Sequence, residues 1–331
     1  MKKIFTIILS STLVAISGCD TYDFEQEQFR KEVNLLSNSS LVYDRQVADL
    51  QQERDTIFVV ASLSGSQASD ASFTVGLQNS DTLLRAYNKS NFDINKARFA
   101  KYLPEDCFEF PNMEMNIPTG SSKVMFPVYL KNLDKISPDS IYFLEYKIDS
   151  LKTPNYNPNK RHVLLRIHKE NYYATTQTAT YYNYTSSTIV IANTDGTNEV
   201  RRPTNANRVF PISGNSVRLM AGDESFSDYT TALDIINKGS IILEMGKQLP
   251  ENPLAKELTI LPYKSIDVVQ LTPIGEYDNT YLLNVIRTPD GRSTYYKEFR
   301  LHYKYRLKST DRYREVNAKL RYQFNPRVEN L

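Results

Sequence analysis

Residues 298–308, EFRLHYKYRLK, alternate between apolar and basic side chains. Phe299, Leu301, Tyr303, Tyr305 and Leu307 share one face of an extended strand, and Arg300, His302, Lys304, Arg306 and Lys308 share the other. The stretch 315–324, EVNAKLRYQF, repeats the pattern, with Val316, Ala318, Leu320, Tyr322 and Phe324 on one side. The two strands pair across the polar loop 309–314. Their apolar faces belong to a core, because five large side chains per strand cannot all stay wet at about 25 cal/mol per Å². The opposite face then gathers Arg300, His302, Lys304, Arg306, Lys308, Lys319 and Arg321 with no acid among them. Like charges placed opposite one another are destabilising, so a neighbouring element compensates this face or an anionic partner uses it.

The same period-2 signal recurs through most of the chain. TIFVVASL (56–63) is nearly continuous in apolar and β-branched residues, as in a buried sandwich strand. FTVGLQ (73–78), CFEF (107–110), MNIPTGSS (115–122), KVMFPVYL (123–130), YFLEYKI (142–148) and HVLLRIHK (162–169) follow at short spacing. SDTLLRAYN interrupts them as a short helix, with Ser80 or Asp81 placed to cap it. Beyond 171 the strand candidates are 172–184, 188–192, 216–220, 240–245, 257–261, 265–271 and 280–286, with the hairpin just described. TALDII (231–236) is read as a strand or as two turns of helix. TDG (194–196) and PDG (289–291) mark turns. The pattern predicts a mainly β chain. A β-sandwich over 38–170 precedes a second antiparallel domain over 171–331, either a β-barrel or a β-sandwich.

The amino terminus is different. Lys2 and Lys3 precede an apolar run from Ile4 to Ile16, about thirteen residues or roughly 20 Å of helix, too short for a bilayer core of about 30 Å. It reads as an export signal over 1–18. The run ends in Ile16-Ser17-Gly18-Cys19, which resembles the bacterial lipobox, so Cys19 is the expected lipid-attachment residue and 19–37 the tether. Two or more acyl chains would hold the protein stably on a membrane. With Cys19 acylated, Cys107 is left without a disulfide partner and reads as a small buried residue.

Charge removes one class of partner. The chain has 40 basic and 38 acidic residues, and loss of Lys2 and Lys3 leaves 38 against 38. A neutral body has no global field to gather nucleic acid. Catalytic motifs are missing too. His162 and His168 share a strand face but sit six residues apart, too far for one metal ion, and His302 is remote in sequence. Adjacent acids such as Glu105-Asp106 and Asp223-Glu224 read as solvated loops. The expectation is a protein without catalysis, cofactor or metal. Tyr181, Tyr182 and Tyr184, set among Thr and Asn, are the candidates for stacking on a sugar, with Tyr182 and Tyr184 on one strand face. The core alternative for them is that sheets favour tyrosine.

DTIFVVASLSG, SFTVGLQNSDTLLRAYN, YLP before CFEF, IPTGSSKVMFPVYL and YFLEYKIDS resemble, in order and spacing, the amino-terminal immunoglobulin-like domain of Bacteroidetes surface lipoproteins, a domain once of unknown function. The stretch STYYKEFRLHYKY is similar to the end of their β-rich companion domain. The resemblance implies an outer-membrane lipoprotein facing the cell exterior, accessory to SusC/SusD-like uptake systems, that binds polysaccharide, neutral or anionic. A fimbrial or surface-assembly subunit is the alternative, and a glycan hydrolase the weaker one. The chain departs from well-characterised glycan binders in having no tryptophan.

Overall fold

The computed structural model describes residues 30–65, 68–226, 232–287, 289 and 291–326. The expected signal segment, Cys19 and the start of the expected tether lie outside the described residues. In the first half, β1 (Val33–Leu35), β2 (Val42–Tyr43), β3 (Val47–Asp49), β4 (Asp55–Leu63) and β5 (Phe73–Asn79) precede helix α1 (Leu83–Phe92). Then come β6 (Lys101–Tyr102), β7 (Phe108–Glu109), β8 (Glu114–Ile117), β9 (Lys123–Leu130), β10 (Tyr142–Ile148), β11 (His162–Asn171) and β12 (Ala174–Thr175). One sheet runs β1-β4-β9-β7 and the other β12-β11-β10-β5-β8, with β2 and β3 added to β11 and β6 to β10.

The two sheets face each other across one apolar core. In β4, Ile57, Val59 and Ala61 point inward against Val128, Phe126 and Val124, their partners on β9. Phe58 and Val60 between them are only half-buried, so β4 is a one-faced strand despite its continuous apolar sequence. Residues 33–35, expected to lie within the tether, belong to the sandwich instead. Val33 and Leu35 are buried, and β1 pairs with β4 from Val33↔Leu63 to Leu35↔Ala61. Cys107 is buried and its thiol is pushed up, first by burial and then by Asp106.

Helix α1 is not capped as its sequence suggested. Neither Ser80 nor Asp81 caps it, and Thr82, at the N-cap, makes no side-chain cap bond. The Glu145 carboxylate, projecting from β10, instead accepts the Thr82 and Leu83 N–H groups at 2.9 Å each and that of Leu84 at 3.2 Å. Burial opposes ionisation of Glu145, but these donors and the Tyr102 hydroxyl outweigh it and hold its pKa below the usual carboxylate range.

The second half is a barrel. Its elements are β13 (Thr180–Ala192), β14 (Asn198–Arg201), β15 (Asn207–Ser213), β16 (Ser216–Met220), helix α2 (Ala232–Gly239), β17 (Ser240–Leu249) and β18 (Asn252–Pro262). They continue with β19 (Asp267–Gln270), β20 (Thr280–Arg287), β21 (Ser293–Arg306) and β22 (Arg314–Phe324). Antiparallel pairing runs β13-β15-β16-β17-β18-β20-β21-β22, and β22 returns to β13 from Asn183↔Arg321 to Ile191↔Arg314, closing eight strands. Of the two expected architectures, barrel and sandwich, this is the barrel. The segment 232–239 is helical, resolving the two readings of TALDII in favour of helix.

An eight-stranded barrel is just wide enough to be filled by its own side chains. This one is filled by aliphatic side chains together with the large rings of Tyr173, Tyr182, Tyr281, Phe299, Tyr303 and Tyr305, all fully buried. The apolar face of the 298–308 strand is therefore core. The barrel interior is occupied, so a ligand must sit on the rim or the outer wall.

Candidate functional site

The tyrosine cluster is split by the pleat of β13. Tyr182 points into the barrel, stacks on Phe299 with centroids 4.7 Å apart and donates its hydroxyl to the Tyr173 carbonyl at 2.9 Å. It is a core residue and cannot meet a sugar. Tyr184 shares its inward face, as the sequence predicts, and lies at the rim. Its hydroxyl donates to the Gly222 carbonyl and accepts from Asn207 Nδ2 at 3.0 Å. Burial pushes the Tyr184 phenol up to about 12. Tyr181 faces outward and is 47% exposed.

Tyr181 opens onto a cleft of about 470 Å³ at the barrel mouth, with Tyr184 in its wall. The segment from Arg202 to Arg208 forms one side and that from Met220 to Phe226 the other. Arg208, on β15, is directly opposite Tyr181 across the strand pair. The Met220–Phe226 side is fixed by tyrosines. Gly222 adopts φ +52°, and a Cβ there would meet the Tyr305 hydroxyl at 2.7 Å. The Gly222 N–H donates to the Tyr303 hydroxyl at 2.8 Å. A residue with a side chain would be both strained and obstructed at this turn.

The turn carries Asp223 and Glu224. These were expected to be solvated, but Glu224 pairs with Arg314 and accepts from the Tyr305 hydroxyl at 3.0 Å, and Asp223 lies 3.5 Å from Arg201. Chemically, the rim offers one exposed phenol ring beside amide, hydroxyl and guanidinium donors. That combination suits a polyol ligand, whose C–H faces stack on a ring while its hydroxyls exchange hydrogen bonds.

The basic hairpin face is compensated rather than free. Glu298 lies on the same face of β21 and pairs with Arg300 at 2.7 Å and with Arg321 of β22. Glu315, opposite Lys304, reaches His302 Nε2 at 3.2 Å. Lys319 pairs with Glu276, and Arg306 with Asp267 of β19 at 2.6 Å. Lys304 lies 4.8 Å from the Tyr313 ring centre. The segment between β19 and β20 lies across this face: Thr272 contacts the His302 ring, and Asp278 lies 3.7 Å from Arg300. Burial disfavours the Glu298 anion, but its bonds to Arg300, Arg321 and Asn284 keep its pKa low. Of the seven basic residues, Lys308 alone is exposed without a side-chain partner among the described residues. Most of the charge on this face is therefore already paired within the protein. Counting from residue 300 overlooked Glu298, two positions earlier on the same face.

A second cleft, of about 250 Å³, lies between sandwich and barrel and shares Arg208 and Phe226 with the first. Arg166 and His168 of β11 line it, with Lys169, Phe210 and Asp139. Sequence reading weighed His168 only as a metal ligand and missed the others. Their only signal is the alternation of β11, which places Arg166 and His168 on one face. Among the described residues no group of His, Cys, Asp and Glu could hold a metal.

Comparison with known proteins adds to the fold. A family model described as an N-terminal domain matches residues 29–155, and one described as a C-terminal domain matches residues 161–321. No curated protein matches the chain. A protein of unknown function from Bacteroides ovatus superposes with a TM-score of 0.63 at 15% identity, over 92% of this chain and 96% of that one. A multidomain B. ovatus protein including DUF1735 gives 0.60 at 14% identity, over 88% and 95%. A structure described as an auxiliary nutrient binding protein from Bacteroides thetaiotaomicron gives 0.59 at 15% identity, over 87% and 94%. With sandwich, barrel and both domain models in one chain, this is a two-domain, β-rich protein whose fold is similar to that of these Bacteroides structures.

Proposed function

We propose that the chain binds polysaccharide without turning it over, at the barrel-mouth cleft around Tyr181. The observation that carries this reading is the site itself. An exposed phenol ring stands beside Asn205 and Arg208 in an open cleft, on a barrel whose interior is closed to ligands. The two acids on the rim are engaged by arginines, which suits binding better than proton transfer. The similar B. thetaiotaomicron structure named as an auxiliary nutrient binding protein points the same way. In this reading Cys19 carries the lipid, and the protein sits on the outer membrane beside SusC/SusD-like partners.

Affinity electrophoresis of the mature chain against a panel of neutral and acidic polysaccharides tests the reading. At least one polymer should retard the protein, and Tyr181→Ala should weaken that retardation about tenfold or more, since one stacked ring and its hydrogen bond contribute on the order of 1–3 kcal/mol. Free migration with every polymer would overturn the proposal and favour the surface-assembly subunit. Release of oligosaccharide would make the protein a hydrolase. Mass spectrometry of the membrane-extracted protein should find acyl chains on Cys19.

A further inference from the structure

The outer wall of the barrel carries a row of residues that leads from the open cleft into the domain interface. Tyr181 is opposite Arg208, Phe210 follows two residues along β15 on the same face, and Phe210 is opposite Arg218 of β16. The Arg208 and Arg218 guanidiniums lie 4.5 and 4.4 Å from the Phe210 ring centre. Arg218 is almost fully buried and neutralises Asp139 of the sandwich. Asp139 is the only acid among the described residues that line the interdomain cleft. Arg208 therefore has no acidic partner among the described residues, only the face of Phe210. The side chain of Arg166, half-buried on the opposite, sandwich side of the same cleft, has no hydrogen bond or ion pair among the described residues either.

Two half-buried guanidiniums on two domains thus face one small cleft that holds no free acid among the described residues. Half-buried cations without counter-ions are costly, and more so as they share a space. Guanidinium geometry favours planar, bidentate acceptors such as carboxylate or sulfate over scattered hydroxyls. Lys169 is not available for that task, since its ammonium is used on the carbonyls of Leu133 and Ile136 at 3.1 and 3.0 Å. The apolar part of the lining, including Phe92, Phe99, Phe210 and Leu233, could meet the C–H face of a ring.

We propose that the interdomain cleft holds the carboxylate or sulfate of an acidic polysaccharide between Arg166 and Arg208, while the adjoining sugar lies on Tyr181. This rests on the carbohydrate-binding reading above and names the class of polymer. The positive field is thereby moved from the β21–β22 hairpin, whose charges are paired, to a place where they are not.

Isothermal titration of the mature chain with polygalacturonate, chondroitin sulfate and the neutral polymers of the panel tests it. At least one acidic polymer should bind about tenfold or more tightly than the neutral ones, and its binding should weaken as salt rises. Arg166→Gln and Arg208→Gln should each bring it close to the neutral level. Arg54→Gln, which removes one charge outside both clefts, should leave it unchanged. The thermal midpoint of each variant shows that it is folded. Equal binding of acidic and neutral polymers, or an acidic preference that survives both arginine changes, would overturn the assignment yet leave Tyr181-dependent binding standing. No binding to any polymer would end both.

Discussion

Neighbouring tyrosines with the same sequence context do different work because the strand pleat separates them. Tyr182 is closed in against Phe299 and has its hydroxyl satisfied, so Tyr182→Ala should open a cavity and cost about 3–5 kcal/mol in chemical denaturation. Tyr181→Ala should leave the denaturation midpoint where it is and act on ligand alone. A second single-residue effect is the charge state of His168. Burial and then the Arg166 charge push its pKa down to about 4. Unfolded histidine titrates near 6.5, so between these values the unfolded chain takes up a proton that the fold refuses. The stability tied to neutral His168 is complete above about pH 6.5 and falls as pH drops toward 4, by roughly 3 kcal/mol. Urea midpoints of wild type and His168→Gln across that range should converge at the acidic end, with the variant's slope the shallower.

Strands written in period 2 and bounded by turn residues were legible as elements. KVMFPVYL, YFLEYKI and SVRLM fall on β9, β10 and β16 residue for residue. β15 escaped notice because NRVFPIS carries Pro211 in its middle. It pairs nonetheless, at an irregular register where the ladder shifts between Pro211 and Ser213. β13 was divided in two because Ser186, at φ +51°, lies in a bulge between Thr185 and Thr188. The partners of these elements were harder to see than the elements. The cap of α1 comes from Glu145, more than sixty residues on in sequence, so no local cue could find it. The candidate site was half legible for the same reason. Tyr181 and Tyr184 sit together in the sequence, but Arg166 and Arg208 meet only through the domain interface. Glu145→Gln keeps the shape of the α1 cap and removes its charge. It should destabilise the protein by about 1–3 kcal/mol, most visibly above pH 5 where the wild-type carboxylate is ionised. A denaturation midpoint equal to wild type at neutral pH would mean that the three N–H donors need only a neutral acceptor.

At the scale of the whole molecule, the sandwich and the barrel are fastened by polar groups that have little access to water. Arg218 reaches Asp139, Asn171 donates to the carbonyls of Ser213 and Ser216 at 2.7 and 2.9 Å, and a Cβ at Gly214 would meet the Leu50 carbonyl oxygen at 2.7 Å. A buried ion pair contributes little net stability, but removing one partner leaves an uncompensated charge and costs about 3–5 kcal/mol. Arg218→Met should therefore destabilise the protein by that amount, and Asp139→Leu added to it should restore most of the loss, because no charge then remains buried. Binding should follow the same order for a different reason. Asp139 lines the interdomain cleft, and Arg218 cancels its charge there. In Arg218→Met a bare carboxylate would face Arg166 and Arg208, occupy their field and repel an acidic polymer. The double variant should bind that polymer again, and acidic polymer binding measured on all three forms at equal folded fraction separates this repulsion from simple instability.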